Sequence, residues 1–134
     1  MFTFLLFLVM FFIAGVAGLF LLEARRGLDK SAEFPDGKSV VGIFIHNSII
    51  AKIFLPKAYI AVAVWKWVLI KDGILSEDMN THELRHILQW QEEGFFGFLW
   101  RYFNEHRKYG YACNRFEEDA RWAAGQPLRC EGDA

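Results

Sequence analysis

The distribution of apolar and polar residues divides the chain into a wholly apolar start and a mixed remainder. Residues 1–22 contain no charged side chain. As a helix, residues 4–22 would be about 29 Å long, which matches the hydrocarbon core of a bilayer. The run is longer than a signal-peptide core, no basic residue precedes it, and no clear A-x-A cleavage site follows it. We therefore predict an uncleaved transmembrane anchor over residues 1–24.

The charges after the apolar run predict how the chain is oriented. Arg25, Arg26 and Lys30 follow the run, while only the terminal amine precedes it. By the positive-inside rule, this predicts a single-pass protein in the lipid bilayer with a cytoplasmic C-terminal domain. Small residues at positions 14, 15, 17 and 18 would allow two anchors to pack closely as a homo-oligomer, although a lipid-facing helix explains them equally well.

Beyond the anchor, the pattern alternates between polar connectors and short apolar runs. Residues 25–39 are mostly polar and contain a Pro-Asp-Gly turn, which predicts a linker. Residues 40–45 are apolar and rich in β-branched side chains, which predicts a strand. Residues 49–55 fit either a second strand or a short helix. Residues 59–70, which are β-branched and aromatic, predict the longest strand of the domain.

Three helices are predicted after this strand. The first begins at a cap provided by Ser76 or by residues 80–81, and it ends at Gly94. The second covers residues 95–108, and its apolar arc is wider than a surface helix requires. It is either buried in the domain or lies in the headgroup region of a bilayer. The third covers residues 114–124, so the fold class is predicted to be α+β.

Length, charge and cysteine content limit the classes of protein that remain. The 134 residues allow one small domain and an anchor, and we expect that domain at residues 40–126, with a tail at residues 127–134. The formal net charge of −1 gives no electrostatic support for nucleic-acid binding. Cys113 and Cys130 lack metal-site spacing, and in a cytoplasmic domain they are expected to stay reduced and without a role.

The first predicted helix carries the sequence HELRH at residues 82–86, an HExxH pattern. Residues four apart lie on one face of a helix, so the imidazoles of His82 and His86 can reach one metal ion. Glu83 can then hold and deprotonate a water molecule beside that metal. Gln89 lies on the same face, next to the ligands or in the wall of the site. A solvated face, in which these side chains pair with basic neighbours, is the alternative interpretation.

A third ligand is expected on the last predicted helix, because a catalytic zinc site usually has three protein ligands and leaves the fourth position to water. That helix begins with three carboxylates in a row. If Ala120 and Ala124 face the core, Glu117 shares their face by i, i+3, i+7 spacing. We therefore expect Glu117 as the third ligand and Glu118 as the reserve. An ion pair of Glu117 with Arg121 is the alternative.

The HELRH sequence, followed about 30 residues later by a helical N-x-x-E-x-x-A, resembles the gluzincin metallopeptidases over roughly residues 56–125. The resemblance implies a minimal zincin-like domain in which Zn²⁺ is held by His82, His86 and Glu117. It also implies that Glu83 is the general base, and that the reaction is hydrolysis of a peptide bond in a peptide or protein substrate.

The chain also departs from that family. Arg121 stands where many membrane gluzincins have an aspartate that steadies a ligand histidine, so the group that orients the imidazoles is not assigned. The chain has no evident second subdomain to close a substrate cleft. The oxyanion of the reaction would need a donor such as Tyr109, Tyr111 or His106, and the sequence does not choose among them.

The alternative to an enzyme is a non-enzymatic membrane protein with a structural zinc site, such as an assembly or virion-associated component. Metal ligation would stabilise a domain whose core is very small. The catalytic and the structural interpretation of the site differ in what occupies the fourth coordination position of the metal. A fourth protein ligand, such as His106 or Glu118, would indicate a structural site, and an open position would indicate catalysis.

Overall fold

The computed structural model describes residues 1–130, which form one long helix followed by a small α+β domain. The predicted fold class is confirmed at this level, while the likeness to zincins stays a prediction. The last four residues of the predicted tail, 131–134, lie outside the described part. The elements in chain order are α1 (Phe2–Ala24), β1 (Leu28–Glu33), β2 (Ser39–Ile45), α2 (Ile49–Phe54), β3 (Ala61–Val64), β4 (Trp67–Ile70), α3 (Glu77–Glu93), α4 (Phe95–Tyr109) and α5 (Arg115–Ala123).

Helix α1 is, within residues 1–130, the one helix long and apolar enough to span a membrane. It has 23 residues and a mean hydropathy of 2.9. A signal sequence has the same properties, so a helix of membrane-spanning length is confirmed, while its insertion, retention and orientation stay predictions. Most of its side chains are exposed, but near its C-terminal end Phe20 packs edge-on against Trp67, with ring centroids 5.0 Å apart.

The sheet has four strands in the order β1-β2-β4-β3. Strand β2 runs parallel to β4, while β1 and β3 are antiparallel to their neighbours. The prediction of a linker over residues 25–39 is wrong, because Leu28–Glu33 is strand β1 and pairs with β2 from Leu28↔Phe44 to Glu33↔Ser39. An edge strand buries little, and β1 is polar enough to resemble a connector.

The predicted strand over residues 59–70 is also corrected, because it is a hairpin of β3 and β4. The two strands pair from Ala61↔Ile70 to Val64↔Trp67 and are joined by Trp65 and Lys66. Trp65 has a φ of 57°, a conformation for which hairpin turns normally use Gly, Asn or Asp. The sequence of this turn therefore does not predict a hairpin.

The segment left open between strand and helix is α2, a short helix. The Ser48 hydroxyl accepts a hydrogen bond from the Ala51 backbone N–H at 3.1 Å and caps its start. The side chains of Ile49, Ile53 and Phe54 are exposed on its surface.

The three predicted helices are confirmed, and α3 packs across the sheet. The Trp90 indole N–H donates to the carbonyl of Ala63 at 3.1 Å and ties α3 to the edge strand. A side chain at Gly42 would collide with Ile87 and Leu84, so β2 and α3 approach closely only because that position is glycine. The main core cluster of buried residues is Phe34, Val40, Phe44, Ala63, Val68, Ile70, Leu75, Leu84, Ile87, Leu88 and Ala123.

The two cysteines form a disulfide, which corrects the expectation that they are reduced and without a role. Cys113 precedes α5, Cys130 follows it, and their Cα atoms are 5.4 Å apart. The chain turns back after α5 at Gly125, where φ is 69°. The sequence separation of 17 residues contains no motif that would announce this pairing.

The anchor and the domain are joined through the buried side chain of Glu23. It is 2% exposed. One carboxylate oxygen accepts a hydrogen bond from the Ser48 hydroxyl at 2.7 Å, and the other accepts one from the Ile49 backbone N–H. The last turn of α1 is therefore fixed to the first turn of α2.

We expect Glu23→Ala to lower the free energy of unfolding by about 1–3 kcal/mol, because it leaves buried donors without their acceptor. Urea unfolding of the full chain in detergent, followed by tryptophan fluorescence, measures this. Glu33→Ala, on exposed β1, is the matched control and should change little. Equal free energies of unfolding for the two variants would show that the hydrogen bonds of Glu23 do not contribute to stability.

Candidate metal centre

Helices α3 and α5 bring His82, His86 and Glu117 together in the interior of the domain. The Nε2 atoms of His82 and His86 are 3.2 Å apart. Glu117 Oε2 lies 3.1 Å from His82 Nε2, and Glu117 Oε1 lies 3.3 Å from His86 Nε2. All three residues are at most 7% exposed, and their candidate ligand atoms lie within 4.8 Å of one another. Two imidazoles and a carboxylate in this arrangement could hold a metal ion.

Gln89 fixes the orientation of the His86 ring. Its side-chain oxygen lies 2.8 Å from His86 Nδ1. Its amide nitrogen donates to the Phe116 carbonyl at 2.9 Å and to Asp119 Oδ2 at 2.8 Å. Because both of those partners can only accept, the oxygen of the amide must face the imidazole. His86 Nδ1 therefore carries a hydrogen, and Nε2, which faces the cluster, is the nitrogen that could bind a metal ion once it has lost its own proton.

Gln126 does the same for the His82 ring from beyond the end of α5. Its side-chain oxygen lies 2.8 Å from His82 Nδ1, and its amide nitrogen donates to Asp78 Oδ2 at 3.2 Å. His82 Nε2 therefore faces the same point as His86 Nε2. Gln126 lies between the two disulfide-linked cysteines, so the disulfide closes the loop that carries it.

Tyr102 on α4 is a further partner of the cluster. Its hydroxyl donates to Glu117 Oε1 at 2.6 Å. Neither Tyr102 nor Gln126 is predicted as a site residue from the sequence. Tyr102 lies in an aromatic-rich helix where packing explains it equally well, and Gln126 follows the helix end without any motif.

The charges of the cluster stabilise one another strongly. Burial alone would lower the pKa of His86, but the Glu117 carboxylate outweighs burial and raises it to about 9. Burial alone would raise the pKa of Glu117, but the charge of His86 and the hydrogen bonds from both histidines and Tyr102 hold it well below its usual range. Burial, followed by the charge of Glu117, raises the pKa of Tyr102. The Glu117 carboxylate therefore stabilises a positive charge on the groups that face it.

Glu83 lies in the wall of the site. It is 7% exposed and lines two cavities that meet beside the histidines. Burial raises the pKa of its carboxyl, partly offset by the positive charge of His86 and His82. Glu83 thus lies next to the cluster but outside the group of ligand atoms, and its role as a base stays a prediction.

Arg85, inside the HELRH sequence, does not pair with the histidines. Its guanidinium binds Asp119 through two hydrogen bonds of 2.8 and 3.0 Å and Asp36 through one of 2.9 Å. It also stacks over the Phe34 ring at 4.9 Å. These contacts join α3 to α5 and to the β1–β2 turn. The interpretation of this face as a set of solvated ion pairs is therefore excluded.

Arg121 is buried and does not contact an imidazole. It donates to the Ala112 carbonyl at 2.8 Å and pairs with Glu118. Glu118, the reserve ligand, is thus committed elsewhere, and Glu117 does not pair with Arg121. The His86 imidazole is held by Gln89, whose amide donates to Asp119.

The three predicted oxyanion donors differ in position. Tyr109 is 58% exposed and does not line either cavity. Tyr111 lines both cavities, and burial followed by the charge of Glu117 raises its pKa to about 12. His106 lines the larger cavity from α4. Position therefore favours Tyr111, while its role stays a prediction.

The two cavities adjoin each other beside the edge strand β3, and together we call them the groove. The larger has a volume of about 520 Å³ and the smaller about 370 Å³. Both are lined by the same five residues at their junction, and Glu83 and His82 are among them. The shared residues are Tyr59, Ala61, His82, Glu83 and Tyr111.

Comparison of the chain with protein families, curated proteins and solved structures gives no match. The chemistry of the site is therefore argued from its side chains alone. The resemblance to gluzincins stays a sequence-based expectation.

Gln126→Ala should weaken zinc binding by about 10–100-fold, because the His82 ring loses the acceptor that orients it. Competition against a fluorescent zinc chelator measures the affinity. Gln91→Ala, an exposed glutamine at the C-terminal end of α3, is the matched control and should bind zinc as the unaltered protein does. Identical affinities for the two variants would show that Gln126 has no part in the site.

Proposed function

We propose that the protein is a zinc-dependent hydrolase that cleaves peptide bonds in the groove beside β3. The observation that carries this proposal is the convergence of two imidazole nitrogens and one carboxylate on a single point that borders an open cavity. Within residues 1–130 this group has three members, which leaves a coordination position for water or substrate.

The donor set supports zinc as the metal. Two histidine nitrogens and one carboxylate oxygen are a common set in catalytic zinc sites, whereas magnesium and calcium prefer oxygen ligands throughout. His82, His86 and Glu117 would hold the ion. Zinc bound there would lower the pKa of water and polarise the carbonyl of the substrate.

The side chains around the cluster can carry out the remaining steps. Glu83 accepts a proton from the attacking water as the water oxygen bonds to the carbonyl carbon. Glu83 then passes this proton to the leaving nitrogen as the C–N bond breaks. The Tyr111 hydroxyl, at the junction of the cavities, is the candidate donor to the oxyanion.

The edge strand supports a peptide as the substrate. Within residues 1–130, β3 pairs only with β4. Its other edge faces away from the sheet, and there the Ala63 carbonyl already accepts a hydrogen bond from Trp90, which leaves the backbone groups of Ala61 for a substrate. An extended peptide can add to such an edge as a further strand. Ala61 of this strand lies at the junction of the cavities, so a peptide bond paired there would lie next to the metal ligands.

A purely structural zinc site has less support. Glu118 is paired with Arg121, and His106 lies on the exposed part of α4, outside the ligand group. Neither closes the fourth position, and a structural zinc site is normally closed by four protein ligands.

The disulfide supports a location of the domain on the oxidising side of a membrane. Disulfides persist in oxidising compartments and are rare in the cytosol. The charges of Arg25, Arg26 and Lys30 predict the opposite orientation. The disulfide carries more weight here, because it closes the loop that positions Gln126 on a candidate ligand.

We expect the metal content and the peptidase activity of four variants to distinguish the metal ligands from the general base. His86→Ala and Glu117→Ala should lose about one zinc per chain, measured by mass spectrometry of the detergent-purified protein. Glu83→Gln should retain zinc and lose peptide hydrolysis by about 10²–10⁴-fold. His46→Ala, whose ring contacts the Gly73 carbonyl at 3.3 Å in a turn, is the control and should retain both. Hydrolysis at the unaltered rate by Glu83→Gln would sink the mechanism.

The cysteines of the protein in its own membrane should be unreactive until they are reduced. Denatured samples treated with a maleimide polymer should gain no mass before reduction and two additions after it. Cys113→Ser should gain one addition in either condition, which controls for access to the thiol. Two additions without reductant would show free thiols and restore the cytoplasmic orientation.

A further inference from the structure

The larger cavity is lined by apolar side chains from α4 and from the segment that directly follows α2. Leu55 and Pro56 belong to that segment, and Phe95, Leu99 and Phe103 belong to α4. The candidate metal ligands line the same cavity. The cavity is therefore bounded by α4 and by the C-terminal boundary of α2.

Helix α2 lies alongside the membrane-spanning helix. The Phe54 ring packs edge-on against Phe12, near the middle of α1, with centroids 6.2 Å apart. The other end of α2 is held at Glu23, near the end of α1. Six helical residues rise about 9 Å, so α2 extends back along α1 by roughly a third of the thickness of a bilayer core.

The β3–β4 hairpin contacts both α4 and α1. Trp65 of its turn contacts the Phe95 ring, with centroids 6.1 Å apart. Trp67, two residues later, contacts Phe20 of α1. One end of the hairpin therefore touches both helices.

The outer surfaces of α2 and α4 are apolar and exposed. On α4, Phe96 is 81% exposed and Trp100 is 69% exposed, and Arg107 lies one to two turns further along the same face. Aromatic side chains with flanking basic residues are typical of helices that lie in the headgroup region. We call this surface the apolar rim, and it consists of Ile49, Ile53, Phe54, Phe96, Leu99, Trp100 and Phe103.

We propose that the bilayer that holds α1 also covers the apolar rim, so that the large cavity opens at the membrane surface and receives its substrate from there. The partner is a lipid surface, since the rim is continuous with the anchor through the contact of Phe54 with Phe12. An apolar surface of this extent in contact with water would otherwise be unfavourable.

The placement of the cavity at the membrane surface defines the class of substrate. This assignment of a substrate class rests on the proposed hydrolase function. The large cavity takes an apolar side chain from a polypeptide segment that lies at the bilayer interface. The smaller cavity is lined by Asp78, Arg121 and Arg129, so the residues on the other side of the cleaved bond are polar. The substrate is thus a membrane protein or peptide, cut where it leaves the membrane.

The depth of single spin labels in the bilayer tests the placement without any catalysis. The full chain is reconstituted in phosphatidylcholine nanodiscs, with a nitroxide at Phe54→Cys, Trp100→Cys or, as the matched exposed aromatic on α5, Trp122→Cys. Labels at 54 and 100 should be relaxed by oxygen and protected from a water-soluble nickel complex, and the label at 122 should show the reverse. A label at 100 as accessible to nickel as the label at 122 would overturn the proposal.

A second readout keeps this proposal separate from the function on which its substrate class rests. Trp100 does not line the cavity, so the Trp100→Glu variant should retain zinc. It should cleave a lipid-tethered peptide several-fold more slowly and leave cleavage of the same untethered peptide unchanged. Labels buried in the bilayer, together with no hydrolysis by any variant, would overturn the proposed hydrolase function and support the proposed membrane contact of the apolar rim. An equal loss on both peptides would overturn membrane delivery.

Discussion

The arrangement of the domain depends on the burial of the Glu117 carboxylate against two imidazoles. A carboxylate removed from water is unfavourable unless charges and hydrogen bonds replace the solvent. Here His82, His86 and the Tyr102 hydroxyl replace it. Each of these partners comes from a position that the fold must hold in place, so α3, α4 and α5 have to meet at one point. The polar interior is therefore as specific a constraint on the packing of the helices as the apolar core.

The surrounding contacts make that meeting point rigid. Arg85 fixes α3 to α5 through Asp119, and Asp119 in turn holds the Gln89 amide that orients His86. On the other side, the loop closed by the disulfide presents Gln126 to His82. The two imidazoles are thus oriented by independent supports, one internal to the helix pair and one at the end of the chain. Preorganised ligands of this kind lose little entropy when they bind a metal.

The sequence predicts what depends on the helical repeat and misses what depends on distant pairing. The i, i+4 spacing of His82 and His86 and the alanine face beside Glu117 are local, and the structure brings these three residues together. Strand β1 lacks an apolar pattern because it lies at an edge, and the β3–β4 turn uses Trp65 in place of a turn residue. The disulfide and the contact of Gln126 with His82 join residues 17 and 44 positions apart, respectively. Such contacts exist only once the helices have packed.

The joint at Glu23 has a mechanical consequence. A flexible tether would let a domain sample a hemisphere of solvent above its anchor, at an effective concentration set by the length of the tether. Here the last turn of α1 is bonded directly to the first turn of α2, so the joint restricts how far the domain can swing about α1. With α1 in a bilayer, this restriction would keep the groove close to one height, and its search for a partner would become lateral diffusion in two dimensions.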